Sequence, residues 1–285
     1  MTKVSVLIPV YNTDENSLKE SIKSILEQTF KDFELIILDD GSNKDIEAVI
    51  KSFDDERISF HKNEKNLGVA KTRNKLLDLA KGEYIAYQDA DDISLPERLE
   101  KQVKFLDKNP DISALSAWVE RFPAKRILRN IPSPKYLDFM GGCVFSQGCA
   151  MLRLADFKKF NLRYREDLMV SEDYDLWSRA VAYLKFANLQ EILLKYRREE
   201  NSLCAKHNEF AYKIDKEIKQ NMLGYLTDDF EMQDYILAAI QKKFSKKANF
   251  FENVFSVRNE WVGNKKSKIL TLLGMRFYLY KLKEK

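Results

Sequence analysis

The residues with the most chemistry in this chain are three carboxylates in four positions, Asp89, Asp91 and Asp92. They follow directly on the apolar run Tyr84-Ile85-Ala86-Tyr87, which Gly82 and Glu83 precede. A run of that kind, stopped by charge, reads as a buried strand. Its acidic end cannot continue into the core, because unpaired buried charge is too costly. Carboxylates this close also repel one another unless a cation neutralises them. A hard divalent ion, Mg2+ or Mn2+, on oxygen ligands and shared with a phosphate, would relieve the repulsion. The competing reading is a solvated acidic turn that caps a helix starting at Pro96.

A second acidic cluster, Ser171-Glu172-Asp173-Tyr174-Asp175, leads into Leu176, Trp177, Arg179, Ala180 and Tyr183. The later residues repeat at helical spacing, and carboxylates favour the positive end of a helix, so by residue type this is a capped helix start. The chain has two histidines, His61 and His207, so neither a histidine-rich metal site nor a Ser-His-Asp triad is expected. Its three cysteines, Cys143, Cys149 and Cys204, show neither a disulfide framework nor a zinc spacing.

These groups need elements to hold them. Val4-Ser5-Val6-Leu7-Ile8-Pro9-Val10 is a strand that ends at Tyr11-Asn12. Leu18, Ile22, Ile25 and Leu26 mark a helix with Asn16 or Ser17 placed to cap it. Phe33-Glu34-Leu35-Ile36-Ile37-Leu38 is a second strand, ending in Asp39-Asp40-Gly41-Ser42. A helix on Ile46, Val49, Ile50 and Phe53 and a short strand, Arg57-Ile58-Ser59-Phe60, precede the loop through Asn66-Leu67-Gly68. Val69, Ala70, Arg73, Leu76, Leu77 and Ala80 form a helix that Gly82 closes. Alternation of strand and helix, with continuously apolar strands, signals a parallel sheet covered on both faces. Ligands bind such sheets beyond the carboxyl ends of the strands, and the polar residues collect there.

No G-x-G-x-x-G follows the first strand and no G-K-[ST] loop occurs. That argues against a dinucleotide dehydrogenase and a P-loop ATPase. A bound nucleoside diphosphate would need its charge balanced by a metal at Asp91 and a cation such as Arg73. Asp39 or Asp40 would be free to accept from a base N–H or a ribose hydroxyl.

The 285 residues, 45% hydrophobic and 32% charged, suit a soluble globular protein. No apolar stretch is long enough to cross a bilayer. The chain opens into a strand pattern without a signal-peptide core, so a cytoplasmic location is expected. Net charge is only +4, so its distribution matters more than its size.

Four motifs stand in the order seen in family-2 glycosyltransferases, and the chain resembles that family over roughly its first two-thirds. They are Val4 to Asn12, Asp39-Asp40-Gly41-Ser42, Asn66-Leu67-Gly68 with Arg73-Asn74, and Asp89-Ala90-Asp91-Asp92 through Pro96-Glu97-Arg98. The resemblance implies an inverting enzyme of the GT-A fold: α/β, Rossmann-like, a mostly parallel sheet flanked by helices. It implies transfer of a hexose or N-acetylhexosamine from a UDP-sugar to a glycan or lipid-linked acceptor in cell-surface polysaccharide synthesis, with Mn2+ or Mg2+ as cofactor. By position, Pro9, Tyr11 and Asp40 would line the uracil pocket, with Tyr11 stacked on the base and Asp39 beside it. Arg73 would lie near base and phosphates, Asp89 on the ribose and Asp91 on the metal. Asn12, Gly68 and Ala90 complete the expected nucleotide site. Tyr11 has a second reading, as an aromatic packed on the Val69 to Ala80 helix.

The resemblance also places a general base in the Glu172-Asp173 pair, Asp173 first and Glu172 as alternative. Gln147 and Gly148 would lie beside the donor sugar, with Gly148, Cys149 and Ala150 letting it approach the backbone; a buried small-residue strand fits equally. Ser146-Gln147 stands where many relatives carry a histidine, so acceptor specificity does not transfer. Trp177 is either a wall of the acceptor site or core.

Ile112 to Trp118 reads as a further strand, and Arg121 to Pro134 as a basic, proline-punctuated loop. The expected domains are 1–205, catalytic, with a nucleotide half about 1–110 and an acceptor half about 111–205, and a basic helical region 206–285. In the latter, 208–222 and 234–244 read as helices, and lysine and arginine dominate from Lys242. Segment 242–285 would rest on an anionic membrane, placing the protein peripherally on the inner face, or would form a helical cap with a solvated basic face. No nucleic-acid recognition motif accompanies that charge. Two other functions fit an α/β shell: a sugar-nucleotide nucleotidyltransferase, which needs a Gly-rich loop that Tyr11-Asn12-Thr13 does not supply, or an inactive carbohydrate- or membrane-binding module.

Overall fold

The structure, a computed structural model, describes residues 2–197, 208–224, 255–262, 265–272 and 275–281, the last three as backbone. Strand and helix alternate as the pattern predicts: β1 (Val4–Val10), α1 (Glu15–Leu26), β2 (Phe33–Asp39), α2 (Ile46–Lys51), β3 (Ile58–Lys62), α3 (Val69–Leu79) and β4 (Tyr84–Tyr87). These four strands lie parallel in the order β3-β2-β1-β4. Their alternate faces bury Val4, Val6, Ile8, Leu35 and Ile37 against Leu18, Ile22 and Ile25 of α1. Each of those three helical side chains is completely buried. Such burial contributes about 1.5–3 kcal/mol per side chain.

Pro9 sits inside β1 without losing a sheet hydrogen bond. The Leu7 carbonyl accepts from Gln88 N on the β4 side, and the Val10 carbonyl accepts from Asp40 N on the β2 side. By strand parity Pro9 faces the β4 side, where the β1–β4 pairing has already ended at Leu7 and Tyr87. A proline is tolerated where its missing N–H has no partner to lose. The cap of α1 is Asp14, whose carboxylate accepts from Ser17 N at 3.0 Å. Asn16 and Ser17, the expected caps, lie inside the first turn, where they cannot reach back to an orphan N–H.

The second half of the sheet runs through β5 (Ile93–Ser94), α4 (Arg98–Lys108), β6 (Ala114–Phe122), β7 (Arg126–Leu128), α5 (Tyr136–Phe139), a 3₁₀ turn (Gln147–Cys149), β8 (Met151–Arg153), α6 (Leu154–Lys159), α7 (Glu172–Ala180) and β9 (Phe186–Arg197). The full order among the described residues is β3-β2-β1-β4-β8-β6-β9-β5, with β7 on β6. β8 is antiparallel to β4 and β6, while β6 and β9 are parallel. The sheet is therefore mixed, with its continuous parallel part in β3-β2-β1-β4. The reason lies in the 3₁₀ turn, which packs against the acidic end of β4. β8 leaves that turn and must run back the other way. The basic stretch expected as loop is partly a hairpin, Val119↔Leu128 to Arg121↔Arg126.

The chain divides into two compact units, Met1–Ile214 and Asp215–Lys285. The division falls inside α8 (Asn208–Gly224), which realises the helix expected over 208–222. The helix expected over 234–244 lies outside the described residues. The described residues from 255 on are not helical: β10 (Phe255–Val262), β11 (Lys265–Leu272) and β12 (Met275–Lys281) form an antiparallel sheet in chain order. The links Gly263-Asn264 and Leu273-Gly274 are two residues long and carry hairpin-forming glycine and asparagine, and the segments between are rich in β-branched and aromatic residues. Among the described residues no helix is long and apolar enough to cross a membrane.

Candidate active site

The ends of β1 and β2 are stitched together. Asn12 has left-handed backbone, φ 52°, and its N–H donates to Ser42 Oγ at 2.8 Å. Its side-chain oxygen accepts from Asn43 N at 2.9 Å. Tyr11 beside it is 49% exposed, so the packed-core reading of this ring is not realised. The ring stands at the carboxyl edge of the sheet with a face available for stacking.

Asp40 is not the free acceptor expected from sequence, whereas Asp39 keeps one carboxylate oxygen, Oδ2, without a hydrogen-bond donor. Asp40 accepts from Asn63 Nδ2 at 2.8 Å, Leu67 N at 2.9 Å and Gly68 N at 2.9 Å. Gly68, at φ 91°, opens α3 without a side-chain cap, and the Asp40 carboxylate meets the helix start instead. Asp39 is completely buried; one oxygen accepts from Ser42 N at 3.0 Å and the other faces Lys62 Nζ at 3.5 Å. Buried carboxylates require donors, and the loop supplies them to Asp40. Asp40 thereby shapes the loop that opens α3.

The acidic turn after β4 separates into three different environments. Asp89 is partly exposed and accepts from Arg73 Nη2 at 3.0 Å. Ala90 is buried behind it. The Asp91 carbonyl accepts from Arg197 Nε at 2.9 Å. Asp92 is wholly buried; one oxygen accepts from Arg197 N at 2.8 Å and Oδ2 has no hydrogen-bond partner. Burial, then the charges of Asp89 and Asp91, push its carboxyl well above the ordinary range. Asp92 does not cap a helix, as the solvated-turn reading requires: α4 begins at Arg98, its N-cap is Glu97, and no side-chain bond caps it.

Arg73, buried on α3, joins this turn to the second acidic cluster. Its Nη1 donates to Glu172 Oε1 while Nη2 donates to Asp89. The guanidinium also lies over the Tyr164 ring, 5.6 Å from its centroid. These bonds commit it to two carboxylates, not to an open base or phosphate site. Next to it Asn74 holds Tyr164 by both backbone groups, accepting from Tyr164 N at 2.9 Å and donating to its carbonyl at 3.0 Å. The Arg73-Asn74 pair thereby ties α3 to the segment that leads into α7.

Glu172 and Asp173 open α7, preceded by Ser171 in left-handed conformation, φ 57°. Ser171 makes no capping bond from its side chain, but Glu172, Asp173 and Asp175 all lie in the first turn, so the acidic helix start expected from residue type is realised. Asp173 accepts from Tyr174 N at 2.7 Å. Burial and the charge of Glu172 push Asp173 up to about 7, against the pull of Arg73 and the Tyr174 N–H. A carboxylate with that proton affinity is matched to general-base work near neutral pH. Glu172 is instead engaged by Arg73, which separates the roles of the pair. Asp175 turns away to Arg179, at 2.6 Å.

Gln147 and Gly148 do approach the acidic turn. A Cβ on Gly148 would stand 3.0 Å from both Asp89 Oδ2 and Asp92 Oδ2. The space this glycine leaves is therefore filled by the turn itself, not by room for a sugar. Gln147 donates to the Tyr164 hydroxyl at 2.8 Å, and its buried Oε1 has no hydrogen-bond partner. Trp177 is core: it is completely buried, with edge contacts to Tyr87, Phe145, Phe157 and Phe186 at 5.0 to 6.5 Å. The acceptor-wall reading is not realised.

The residues present fit a hard divalent ion of the kind the resemblance implies only if substrate completes its coordination. Among the described residues no group of three or more acidic, histidine or cysteine side chains is placed to hold a metal ion. The turn instead offers oxygen donors only, and Asp92 Oδ2 is a buried carboxylate oxygen without a partner. Mg2+ and Mn2+ sites of one or two carboxylates completed by substrate phosphates have this character.

Sequence pattern missed Tyr164 and Arg197, and placed Asn74 in a motif without its role of holding Tyr164. Nothing local marks Tyr164 or Arg197, whose partners are 90 and 105 positions away.

Comparison with known proteins places the chain in a family and matches its fold. The family model Glycosyl transferase family 2 matches residues 5–162. The uncharacterized glycosyltransferase MJ1057 of Methanocaldococcus jannaschii is 44% identical over 205 residues, 68% of this chain and 70% of its own length. The UDP-Glc:alpha-D-GlcNAc-diphosphoundecaprenol beta-1,3-glucosyltransferase WfgD of Escherichia coli is 29% identical over 84% of this chain and 94% of its own. The crystal structure of S. aureus TarS 1-349 with UDP-GlcNAc shares the fold, with a TM-score of 0.69, 21% identity and coverage of 86% of this chain and 73% of that one.

Proposed function

The chain belongs to glycosyl transferase family 2 and is a transferase, and from that premise we propose that it moves a hexose or N-acetylhexosamine from a UDP-sugar to a glycan or lipid-linked hydroxyl, with inversion. The observation that carries the reading is the Arg73 bridge, which draws Asp89 and Glu172-Asp173 to one guanidinium. Leaving-group and acceptor ends of a single displacement would then share one site.

In this reading Tyr11 stacks on the uracil, and the loops pinned by Asp39 and Asp40 frame it. Asp89 turns its remaining oxygen to the ribose. Asp91, with Asp92 beside it, would hold Mn2+ or Mg2+, which when bound supplies countercharge to the departing diphosphate. Asp173 accepts the proton of the attacking hydroxyl as that oxygen bonds to the anomeric carbon and the bond to the diphosphate breaks. Glu172 holds Arg73 and leaves Asp173 as the base. Gln147, through its unpartnered amide oxygen, would accept from a sugar hydroxyl or amide. No covalent intermediate is required.

The donor class rests on the resemblance, with the UDP-GlcNAc bound by TarS and the UDP-Glc named for WfgD in support. The lipid-linked acceptor rests on the diphosphoundecaprenol named for WfgD. Cell-surface polysaccharide synthesis rests on the resemblance and that acceptor, and a peripheral position on the inner membrane face rests on the lysine- and arginine-rich composition of 242–285. Incubation with a panel of nucleotide-sugars and Mn2+ tests the proposal. Slow UDP release from one UDP-sugar is expected; inertness toward all UDP-sugars, or preference for another base, would count against it.

A further inference from the structure

Beneath the acidic turn lies a polar network that no step of the proposed chemistry uses. Its centre is Arg98 on α4, which is completely buried. Burial lowers the proton affinity of its guanidinium. A buried guanidinium normally faces a bonded carboxylate, because desolvating a charge is costly. Arg98 has no such ion pair among the described residues. It donates to Tyr87 O at 2.6 Å, Gln88 Oε1 at 2.8 Å, Ser94 Oγ at 2.8 Å and Gln102 Oε1 at 3.2 Å.

Those acceptors bracket the turn. Tyr87 ends β4, and Ser94 lies on the far side of Asp92. Gln88, held by Arg98, donates to the Asp92 carbonyl at 2.7 Å and to Ser21 Oγ at 3.0 Å. Ser21 in turn donates to the Asp89 carbonyl at 2.9 Å. One helical turn beyond Arg98, Gln102 donates to the Cys149 carbonyl at 2.7 Å. That bond fixes the 3₁₀ turn whose Gly148 abuts Asp89 and Asp92.

We infer that Arg98 is the positioning residue of the carboxylate turn: it clamps both ends of residues 87–94 from inside the protein. A planar guanidinium with five fixed donors suits this task, and a lysine ammonium, with three donors on a flexible stem, does not. The inference takes its functional meaning from the proposed UDP-sugar reaction, but the clamp itself can be tested without it.

The variants are Arg98→Lys, Arg98→Gln and the milder Ser94→Ala, which removes one acceptor and leaves the charge. Two readouts are paired on the full chain. Amide hydrogen exchange is followed at residues 88–94 and, as control, in β1 and β2. Half-saturation by Mn2+ is measured for UDP release. Local exchange should rise at least about tenfold in Arg98→Gln, with β1 and β2 unchanged, less in Ser94→Ala, and without full rescue by lysine. The Mn2+ requirement should rise at least about tenfold, while activity at saturating Mn2+ falls less. Exchange at 88–94 that stays at the wild-type rate, or rises no more than in β1 and β2, overturns the clamp. If Arg98→Gln does not fold, Ser94→Ala and Arg98→Lys decide by the same criterion. If wild type releases no UDP, the reaction proposed above fails, and exchange alone settles the role of Arg98.

Discussion

Replacing Asp173 with Asn should abolish turnover and at the same time stabilise the protein at neutral pH. The carboxyl is pushed from its ordinary 3.8 up to about 7, burial being the first cause and Glu172 the second. A shift of roughly three units corresponds to a ceiling of about 4 kcal/mol for keeping the group ionised in the fold. Asp173 is only half-buried, and Asn accepts more weakly from Tyr174 N, so a gain of about 1–2 kcal/mol is expected. The sign follows from the direction of the shift. A carboxyl with a raised folded pKa binds its proton more tightly in the native state. Its contribution is complete below about pH 4 and is lost as the pH rises to about 7. Urea unfolding of wild type and Asp173→Asn at pH 4 and pH 8 reads this directly. The variant should gain only at pH 8. Loss of the base should lower turnover by about two to four orders of magnitude. Equal stability at both pH values would refute the strained-base argument, and retained turnover would remove Asp173 from the mechanism.

Glu172→Gln takes away a like charge, so Asp173 should titrate lower; the acid limb of the pH–rate profile should move down by half a unit or more, as an order-of-magnitude expectation, and an unmoved limb would contradict the coupling. Gly148→Ala places a methyl 3.0 Å from two carboxylate oxygens; Mn2+-dependent UDP affinity should fall about tenfold with a change in Tm of only a few degrees, since the turn must shift by tenths of an ångström, and calorimetry with melting curves checks both. Asp40→Ala removes the acceptor for three donors; a loss of about 2–4 kcal/mol on urea unfolding is expected, with weakened nucleotide binding, because Leu67 and Gly68 lose their carboxylate.

The parallel half of the fold was legible because its signals are local. Continuous apolar runs give β1, β2 and β4, and helical stripes give α1 and α3. The acidic turn was legible because buried charge needs a reason to exist. What sequence hides is the direction in which a side chain is spent. Asp40 and Arg73 stand at the site by sequence, but their partners, 16 to 99 positions away, decide that they brace loops and join carboxylates. Trp177 follows the helical stripe of α7 and only packing shows it to be core. Gly148 reads from sequence as a point of close approach to a sugar, but its neighbour is the acidic turn. The C-terminal strands were misread because lysine-rich composition outweighed period-two alternation, and the two-residue links were passed over.

The central claim is that Asp91 makes UDP binding depend on a divalent ion. Calorimetric titration of UDP into wild type and Asp91→Asn, each with and without Mn2+, tests it most directly. The account predicts that Mn2+ tightens binding at least about tenfold in wild type, worth about 1.4 kcal/mol or more, and has little effect in the variant. Equal affinities in all four titrations would contradict it.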